Sequence, residues 1–299
     1  MNAKAAMKPF PGIGRSKVPF RKSRERMTPM EEDIKTVQRY YDENVEQEWE
    51  RLGRHPYEFE LTVRMMERYL NPGDTILDIG GGPGRYSLYF SRRGYDVTLY
   101  DLSAANIAFA TKKAAEQGCA MKAIAGDARL LTGVPEKHYD HVFIMGPLYH
   151  LLEEADRIRV IEAAMAKLKP GGTLYVSFLL LFAGFIYYMK FDPAGICTDP
   201  QREPYSSRVA AGETYGGDAF TKAYFINPAG ILPFMARFPL EKITLFGQES
   251  ILAPHELTLL QQPEAIQEEW KRMALKLCEN PDYLAYSEHA MYIGKNIVR

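Results

Sequence analysis

The stretch Leu77-Asp78-Ile79-Gly80-Gly81-Gly82-Pro83-Gly84 decides the fold. It completes an apolar segment, residues 75–79, that is typical of a buried strand, and it opens a segment that is typical of a helix. Glycines at such a junction let the backbone turn sharply and approach a ligand without Cβ clashes. The first turn of the helix also offers free N–H groups. The stretch therefore predicts a strand-to-helix turn that binds a small ligand, and a tight turn without a ligand is the alternative.

The spacing of the glycines separates this turn from a dinucleotide-binding one. A dinucleotide fold carries G-x-G-x-x-G, and the third glycine of that pattern would fall at Arg85. The glycines lie instead at Gly80, Gly82 and Gly84, which is a G-x-G-x-G pattern. The turn therefore departs from the dinucleotide fingerprint.

Strands and helices alternate on the C-terminal side of this turn. We predict strands at 75–79, 97–100, 121–125, 142–145 and 173–178, and helices at 85–93, 103–117 and 153–168. Because parallel strands need crossover connections, this alternation predicts an α/β fold with a doubly wound, mostly parallel sheet. A strand at 242–246, a helix at 264–278 and a strand at 290–293 are predicted to complete it. That helix is expected to pack through one apolar face: Ile266, Trp270, Met273 and Leu277.

Two helices are predicted on the N-terminal side of the turn. Residues 1–27 are rich in Lys, Arg, Pro and Gly, and we expect a disordered basic arm, with a nucleic-acid tether or a transit-like segment as alternatives. Thr28-Pro29-Met30-Glu31 has the pattern of a capped helix start. A second helix is predicted at 56–70. We expect residues 28–299 to form one domain. The first helix is expected to carry an apolar stripe: Ile34, Val37, Tyr41, Val45 and Trp49.

Residues 180–240 interrupt the alternation and are rich in Pro, Gly, Tyr and Phe. Long irregular segments in compact domains are usually functional or disordered, and this many aromatic residues argue against disorder. We expect an inserted cap whose aromatic walls form the substrate pocket. A structural lid that packs these rings as a core is the alternative.

Composition and charge exclude several classes of protein. The 299 residues carry a formal net charge of -1, so the chain has no overall electrostatic signature for nucleic acid. Cys119, Cys197 and Cys278 form no C-x-x-C pattern, so we expect no metal site, no disulfide framework and a cytoplasmic location. The uncharged run 174–189 is shorter than the ~20 residues of a membrane span. We expect it to be a strand that runs into a helix, with a membrane contact as the alternative. Nothing in the pattern decides the oligomeric state.

Four features together resemble the class I S-adenosylmethionine-dependent methyltransferases. They are the glycine pattern, Asp101 at the end of the second strand, Gly126-Asp127-Ala128 at the end of the third, and Lys169-Pro170-Gly171-Gly172-Thr173-Leu174 at the turn into the fifth. The resemblance covers residues 70–180. It implies a Rossmann-like fold of the methyltransferase type, with N-terminal helices and an inserted cap, and S-adenosylmethionine as the cofactor.

The resemblance also implies which residues bind the cofactor. The glycine loop would wrap its amino-acid end, with Asp78 near the amine. Asp101 would accept from both ribose hydroxyls and Asp127 from the adenine amino group. Each acid has a structural alternative, as a solvated residue or part of a helix start. The expected cofactor-binding residues are Asp78, Gly80, Gly81, Gly82, Gly84, Asp101, Leu102, Asp127, Ala128, Met145 and Gly146.

The resemblance fixes no catalytic motif, because a sulfonium already activates its methyl group and the protein mainly supplies alignment and a dry pocket. His150 after the fourth strand is a candidate base or orienting group, and its neighbour Tyr149 is a second candidate. A packing role for a helix-start histidine is equally open. On the first helix, Tyr40 is the candidate for a cation–π contact with the sulfonium, whereas Tyr41 belongs to the apolar stripe.

We therefore expect methyl transfer to an O or N atom of a small molecule. Adenine-N6 and glutamine methylases commonly carry Asn/Asp-Pro-Pro-Tyr where this chain has Gly146-Pro147-Leu148-Tyr149. Cytosine-C5 enzymes use a Pro-Cys pair, which does not occur here. Both differences argue against a nucleic-acid acceptor. Two alternatives stay open: an RNA or protein methyltransferase recruited through the basic arm, and a non-catalytic S-adenosylmethionine-binding module.

Overall fold

The computed structural model describes residues 29–200 and 202–298. Its strands are β1 (Thr75–Ile79), β2 (Asp96–Asp101), β3 (Met121–Ala125), β4 (Tyr139–Ile144), β5 (Leu168–Leu179), β6 (Tyr215–Asp218), β7 (Lys222–Phe225), β8 (Leu240–Gly247) and β9 (His289–Asn296). Seven of them form one sheet in the order β3-β2-β1-β4-β5-β9-β8, and β6 pairs with β7 separately.

The helices lie before, between and after these strands. They are α1 (Pro29–Glu43), α2 (Val45–Arg54), α3 (Pro56–Met66), α4 (Arg85–Ser91), α5 (Ala104–Glu116), α6 (Glu154–Ala166), α7 (Ala183–Phe191), α8 (Gly195–Thr198), α9 (Arg202–Ala211), α10 (Pro228–Met235), α11 (Glu256–Leu259) and α12 (Glu264–Leu277).

The direction of the strands confirms the doubly wound, mostly parallel sheet. β1 to β5 pair in parallel through four ladders. β9 runs antiparallel to both of its neighbours, β5 and β8. The residue that begins β9 therefore lies at the same edge of the sheet as the residues that follow the parallel strands.

Both faces of the sheet are buried, which explains why the central strands are almost wholly apolar. Leu77 and Ile79 of β1 belong to a cluster with Val160 of α6 and Ile231 of α10. On the other face, Ile76 belongs to a cluster with residues of α3 and α4. The ends of the strands, rather than their middles, are left to form a site.

The predicted first helix is divided in two. α1 ends at Glu43, α2 begins at Val45, and Asn44 between them has a non-helical backbone (φ -121°, ψ 24°). The side chain of Asn44 donates to the carbonyl oxygen of Tyr40 at 2.7 Å. Such a local hydrogen bond competes with continuation of the helix. The predicted arm at 1–27 and the start signal at Thr28 lie outside the described residues.

Residues 180–240 are regular, contrary to the expectation of an irregular segment. They contain α7 to α10 and the β6–β7 hairpin. The ring of Tyr205 packs on those of Tyr215 and Phe225 at centroid distances of 5.5 and 5.4 Å. These aromatic residues thus build a small core of their own, as in the structural-lid alternative.

The apolar face predicted for the last helix is wrong. Ile266, Trp270 and Met273 of α12 are exposed, whereas Lys271 and Ala274 are buried. Ala274 allows close packing on α3, and the amine of Lys271 is paired with two glutamates, Glu60 and Glu268. Burial of a paired lysine stem is a feature that the apolar pattern does not reveal.

Within residues 29–200 and 202–298, no helix combines the length and apolar character needed to cross a bilayer. The uncharged run at 174–189 is the end of β5 followed by the start of α7, as predicted.

Candidate functional site

A cavity lies at the carboxyl ends of the parallel strands, beneath α1, α2 and α3. We call it the central cavity; its empty volume is about 1180 Å³ with the mouth included. The loops after β1, β2, β3 and β4 line one part of it. Ligands bind at this edge in open α/β sheets. The predicted residues that line it are Asp78, Gly80, Gly81, Gly82, Asp101, Leu102, Asp127, Ala128, Met145, Gly146, Tyr149 and His150.

The glycine loop has the shape that the sequence predicted. Gly82 has φ +57°, a left-handed conformation that favours glycine. A Cβ atom on Gly81 would lie 2.5 Å from Oδ2 of Asp78, so a side chain there would displace that carboxylate. Gly84 is the N-cap residue before α4, with φ +85°, and packs toward Ala110 rather than lining the central cavity. The loop therefore brings bare backbone to the cavity wall.

Asp101 fixes the glycine loop as well as facing the cavity. Its Oδ2 accepts from the backbone N–H of Gly82 at 2.8 Å. Its Oδ1 accepts from the N–H of Ser103 at 2.9 Å and from Nδ2 of Asn106 at 3.1 Å. A carboxylate has about four acceptor positions, so about one is left for a ligand hydroxyl rather than the two predicted.

Asp78 supplies an acceptor without a partner. Ser87 donates to its Oδ2 at 2.6 Å, whereas Oδ1 is buried and has no hydrogen bond. Burial raises the pKa of Asp78 to about 6. A buried acceptor that lacks a donor costs stability, and a cationic or N–H group in the central cavity would satisfy it.

The carboxylate of Asp127 is largely occupied by hydrogen bonds from within the protein. Arg129 donates to Oδ1 from its backbone N–H at 2.9 Å and from Nε at 3.0 Å. It also donates to Oδ2 from Nε at 3.1 Å and from its terminal nitrogen. Although burial raises the pKa of Asp127, these hydrogen bonds outweigh it and lower the pKa. The geometry thus gives Asp127 little free capacity for the amino group that the sequence assigned to it.

Of the two neighbouring tyrosines of α1, Tyr41 lines the central cavity and the predicted candidate Tyr40 does not. Tyr41 lines the central cavity, and its hydroxyl lies 2.7 Å from Nε2 of His150. Tyr40 does not appear on the cavity wall; its hydroxyl lies 3.4 Å from Glu48 and its ring packs on Phe220. Helical spacing identifies the apolar face of α1. It does not distinguish a face that packs on a core from one that covers a cavity.

Both predicted catalytic candidates are engaged by the protein. Nδ1 of His150 lies 2.9 Å from the carbonyl oxygen of Lys222, so Nδ1 carries the proton and Nε2 accepts from Tyr41. Burial lowers the pKa of His150 to about 4. The hydroxyl of Tyr149 donates to the carbonyl oxygen of Met145 at 3.0 Å. Both ring nitrogens of His150 are therefore engaged within the protein, and this arrangement does not favour it as a base.

Sequence reasoning missed a second group of cavity residues. We call them the polar wall: Arg51, Glu58, Ser177, Gln248 and His289. Arg51 donates to both carboxylate oxygens of Glu58, at 2.6 and 3.2 Å. Ser177 donates to Gln248, whose Nε2 donates to Thr62 at 3.1 Å. The wall is therefore a fixed polar surface.

His289 is the member of the polar wall with the clearest chemistry. Its Nδ1 lies 2.7 Å from Oε1 of Glu249, and Oε2 of that glutamate accepts from the backbone N–H of His289 at 3.0 Å. Burial disfavours the protonated ring, but the carboxylates of Glu249 and Glu58 outweigh it and raise the pKa of His289 to about 9.

One signal in the sequence points to these residues. Glu249 follows β8 and His289 begins β9, so both lie at the ligand-binding edge of the sheet. Both strands are predicted from the sequence, whereas Glu249 and His289 lie just outside the predicted bounds. The rule that polar residues at strand ends form sites would have selected them.

No described residue of 180–240 lines the central cavity. The cap acts on it indirectly: the carbonyl oxygen of Lys222 holds His150, and the ring of Phe220 packs on the same imidazole at 5.7 Å between centroids. The expectation of aromatic cap walls does not match this geometry. The reason is that the N-terminal helices occupy the position expected for the cap.

Residues 76–172 match a family model described as a methyltransferase domain. A ubiquinone biosynthesis O-methyltransferase of Caulobacter vibrioides is 32% identical over 131 residues, which are 41% of this chain and 51% of that protein. The chain spans about half the length of the first curated relatives it matches.

Solved structures share the fold over most of the chain. A 1,6-didemethyltoxoflavin-N1-methyltransferase of Burkholderia thailandensis, solved with S-adenosylhomocysteine, has a TM-score of 0.55 at 13% identity and covers 91% of this chain and 92% of that one. A magnesium protoporphyrin IX methyltransferase of Synechocystis, also solved with S-adenosylhomocysteine, has a TM-score of 0.54 at 13% identity and covers 88% and 99%. Residues 76–172 are thus similar to a methyltransferase domain, and the chain shares the fold of methyltransferases that were solved with S-adenosylhomocysteine, the product form of the cofactor S-adenosylmethionine.

Proposed function

We propose that this chain transfers the methyl group of S-adenosylmethionine to a small-molecule acceptor. The observation that carries the proposal is that the glycine loop and the polar wall line one and the same cavity. A cofactor bound at the glycine loop would face an acceptor bound at the polar wall. The relatives named as ubiquinone biosynthesis O-methyltransferases also support a small-molecule acceptor.

The described residues fit the cofactor at its charged end. The unpartnered Oδ1 of Asp78 would accept from the cofactor ammonium, and the remaining position on Asp101 would accept from a ribose hydroxyl. The bare backbone at Gly81 would allow close approach of the amino-acid end. When bound, the cofactor supplies a methyl group that its sulfonium has already activated.

The protein's own contribution is to align the acceptor and keep water away. The polar wall offers donors and acceptors in fixed positions, since Arg51 is held by Glu58 and Gln248 by its hydrogen bonds with Ser177 and Thr62. Fixed groups lose little entropy when an acceptor binds, and alignment of this kind lowers the barrier to bimolecular transfer. α1 covers the cavity with Tyr41, which excludes solvent from the reacting groups.

Two measurements test the proposal. Calorimetric titration should give a dissociation constant for S-adenosylmethionine and S-adenosylhomocysteine, and no comparable binding of NAD. Incubation with a metabolite extract and methyl-labelled cofactor should then give a labelled small molecule, identified by mass. Absence of cofactor binding, or label found only on RNA or protein, would contradict the proposal.

A further inference from the structure

We propose that His289, oriented by Glu249, is a catalytic base that takes the proton from an acceptor hydroxyl, so that the product is an O-methyl ether. This inference rests on the proposed function and names its acceptor class. It starts from the way in which the last two strands of the sheet hold one imidazole.

Glu249 is fixed by three donors. Its Oε2 accepts from the backbone N–H groups of Glu288 at 3.1 Å and His289 at 3.0 Å, and its Oε1 lies 2.7 Å from Nδ1 of His289. The carboxylate therefore sets both the tautomer and the rotation of the ring. In the neutral ring Nδ1 carries the proton that faces Glu249, and Nε2 is the atom that gains and loses a proton.

Nε2 of His289 is available to a ligand. The ring lines the central cavity, and Nε2 has no hydrogen-bond partner among residues 29–200 and 202–298. A base with one nitrogen held by a carboxylate and the other open to substrate is the arrangement by which an imidazole removes a proton from a hydroxyl.

The charged groups around the ring come from several elements. Glu58 of α3 is paired with Arg51 of α2, and Glu288 is paired with Lys190 of α7 at 2.8 Å. Each of these acids is therefore paired with a cation other than the ring of His289. Glu249 pairs only with His289 among the described residues, so the charge gained by the ring on taking a proton is offset at close range.

Other groups on the cavity wall are less suited to this role. Both ring nitrogens of His150 are engaged, by Tyr41 and by the carbonyl oxygen of Lys222. The hydroxyl of Tyr149 donates to a backbone carbonyl. His289 is thus the cavity imidazole with an open nitrogen in the described part of the chain.

A bound divalent cation is the competing interpretation of the same residues. Ligand atoms of Glu58, Glu249 and His289 all lie within 4.8 Å of one another. However, Arg51 donates to both oxygens of Glu58, and Glu249 already accepts three hydrogen bonds. A cation would have to displace these donors and lie beside a guanidinium, so the geometry favours a proton-transfer pair.

The reaction balances without a further reagent. The acceptor O–H bond breaks and its proton goes to Nε2 of His289 as the oxygen forms a bond to the methyl carbon. The C–S bond breaks, its electron pair remains on sulfur, and the positive charge passes from the sulfonium to the imidazolium. Glu249 stabilises that charge, and the proton leaves to solvent when the product departs. A hydroxyl needs such a base because it is a weak nucleophile while protonated.

The test uses His289→Asn, because the asparagine amide can still donate to Glu249 while Nε2 is lost. His138→Asn, at an exposed histidine away from the cavity, is the matched control. Transfer of labelled methyl to the metabolite extract should fall about 10²–10⁴-fold in the first variant and remain unchanged in the second. The dissociation constant for S-adenosylhomocysteine should stay within about twofold in both, which separates loss of a base from loss of the fold.

The chemistry of the product and the pH profile give independent readouts. Hot hydriodic acid should release the label, because it cleaves O-methyl but not N-methyl groups under mild conditions. With saturating cofactor, the kcat/KM for the acceptor identified by its label should rise with pH toward about 9, where His289 loses its proton. Glu249→Gln should move this rise to lower pH. An N-methyl product, a wild-type rate in His289→Asn, or chelator inactivation reversed by a divalent cation would overturn the base assignment.

Failure of the inference can be distinguished from failure of the proposed function. A wild-type chain that does not bind S-adenosylhomocysteine contradicts the proposed function. A wild-type chain that binds it and methylates a small molecule without needing His289 contradicts only the base assignment.

Discussion

Asp101 accepts a hydrogen bond from the backbone N–H of Gly82 at 2.8 Å, so the acid that ends β2 holds the loop that follows β1. β1 and β2 are neighbouring parallel strands. The same carboxylate also accepts from Ser103 and Asn106 at the start of α5. Cofactor binding and local stability are therefore linked at one side chain.

Asp101→Ala should weaken S-adenosylmethionine binding and also destabilise the ligand-free protein. Loss of a hydrogen bond to a charged acceptor costs about 1.5–3 kcal/mol, which is tenfold or more in affinity. Three donors, two of them in buried hydrogen bonds, lose their acceptor at the same time, so the free energy of unfolding should also fall. Asp96→Ala at the exposed start of β2 is the control. Calorimetric titration and urea denaturation check both effects, and unchanged affinity would disprove the role of Asp101.

Asp78 should make the ligand-free protein less stable as the pH rises. Burial raises its folded-state pKa to about 6, above the ~3.9 of an unfolded chain. The folded state then binds the proton more tightly, so the contribution of Asp78 is present at low pH and is lost as the pH rises from about 4 to about 6. Asp78→Asn removes this contribution. Urea denaturation at several pH values should show that the difference in free energy of unfolding between variant and wild type changes over this range. A difference that stays constant would contradict the assignment.

Tyr41→Phe and Tyr40→Phe should differ, although the residues are neighbours. The first substitution leaves Nε2 of buried His150 without its donor, which costs about 1–3 kcal/mol. Because His150 also lines the central cavity and loses the hydroxyl that holds it, affinity for S-adenosylhomocysteine should also fall. Tyr40→Phe removes only a long contact of 3.4 Å with Glu48 and should behave as wild type. Thermal unfolding and calorimetry compare the pair, and equal behaviour would show that the cavity contact of Tyr41 is unimportant.

Lys190→Met should destabilise the protein strongly. The amine of Lys190 is buried and pairs with Glu256 at 2.9 Å and Glu288 at 2.8 Å. Removing one partner of a buried ion pair costs about 3–5 kcal/mol, because the other charge is left without compensation. Lys242→Met, on an exposed part of β8, should change little. Urea denaturation tests this, and a loss no larger than that of the control would mean that the two glutamates find other donors.

The sequence predicted the parts of the molecule that depend on local pattern. Glycine spacing and the acids at the strand ends identified one half of the central cavity. The use of those acids was not predictable, because Arg129 and Asn106 engage Asp127 and Asp101 through side-chain contacts that spacing does not encode. The polar wall was missed because its members come from distant parts of the chain. The buried face of α12 also differs from the predicted one because of tertiary packing. No pattern in the sequence indicates that Lys271 is buried and paired with two glutamates.

The antiparallel placement of β9 has a consequence for the order in which the chain becomes active during synthesis. In the sheet, β8 has β9 as its neighbour and does not pair with β5. A nascent chain that has emerged from the ribosome as far as α12 already contains the whole glycine loop, but its β8 has no strand to pair with in this sheet. His289 begins the segment that then inserts between β5 and β8. The residues that would hold the cofactor are therefore synthesised before the proposed base His289, and the cavity is complete only once β9 lies in the sheet.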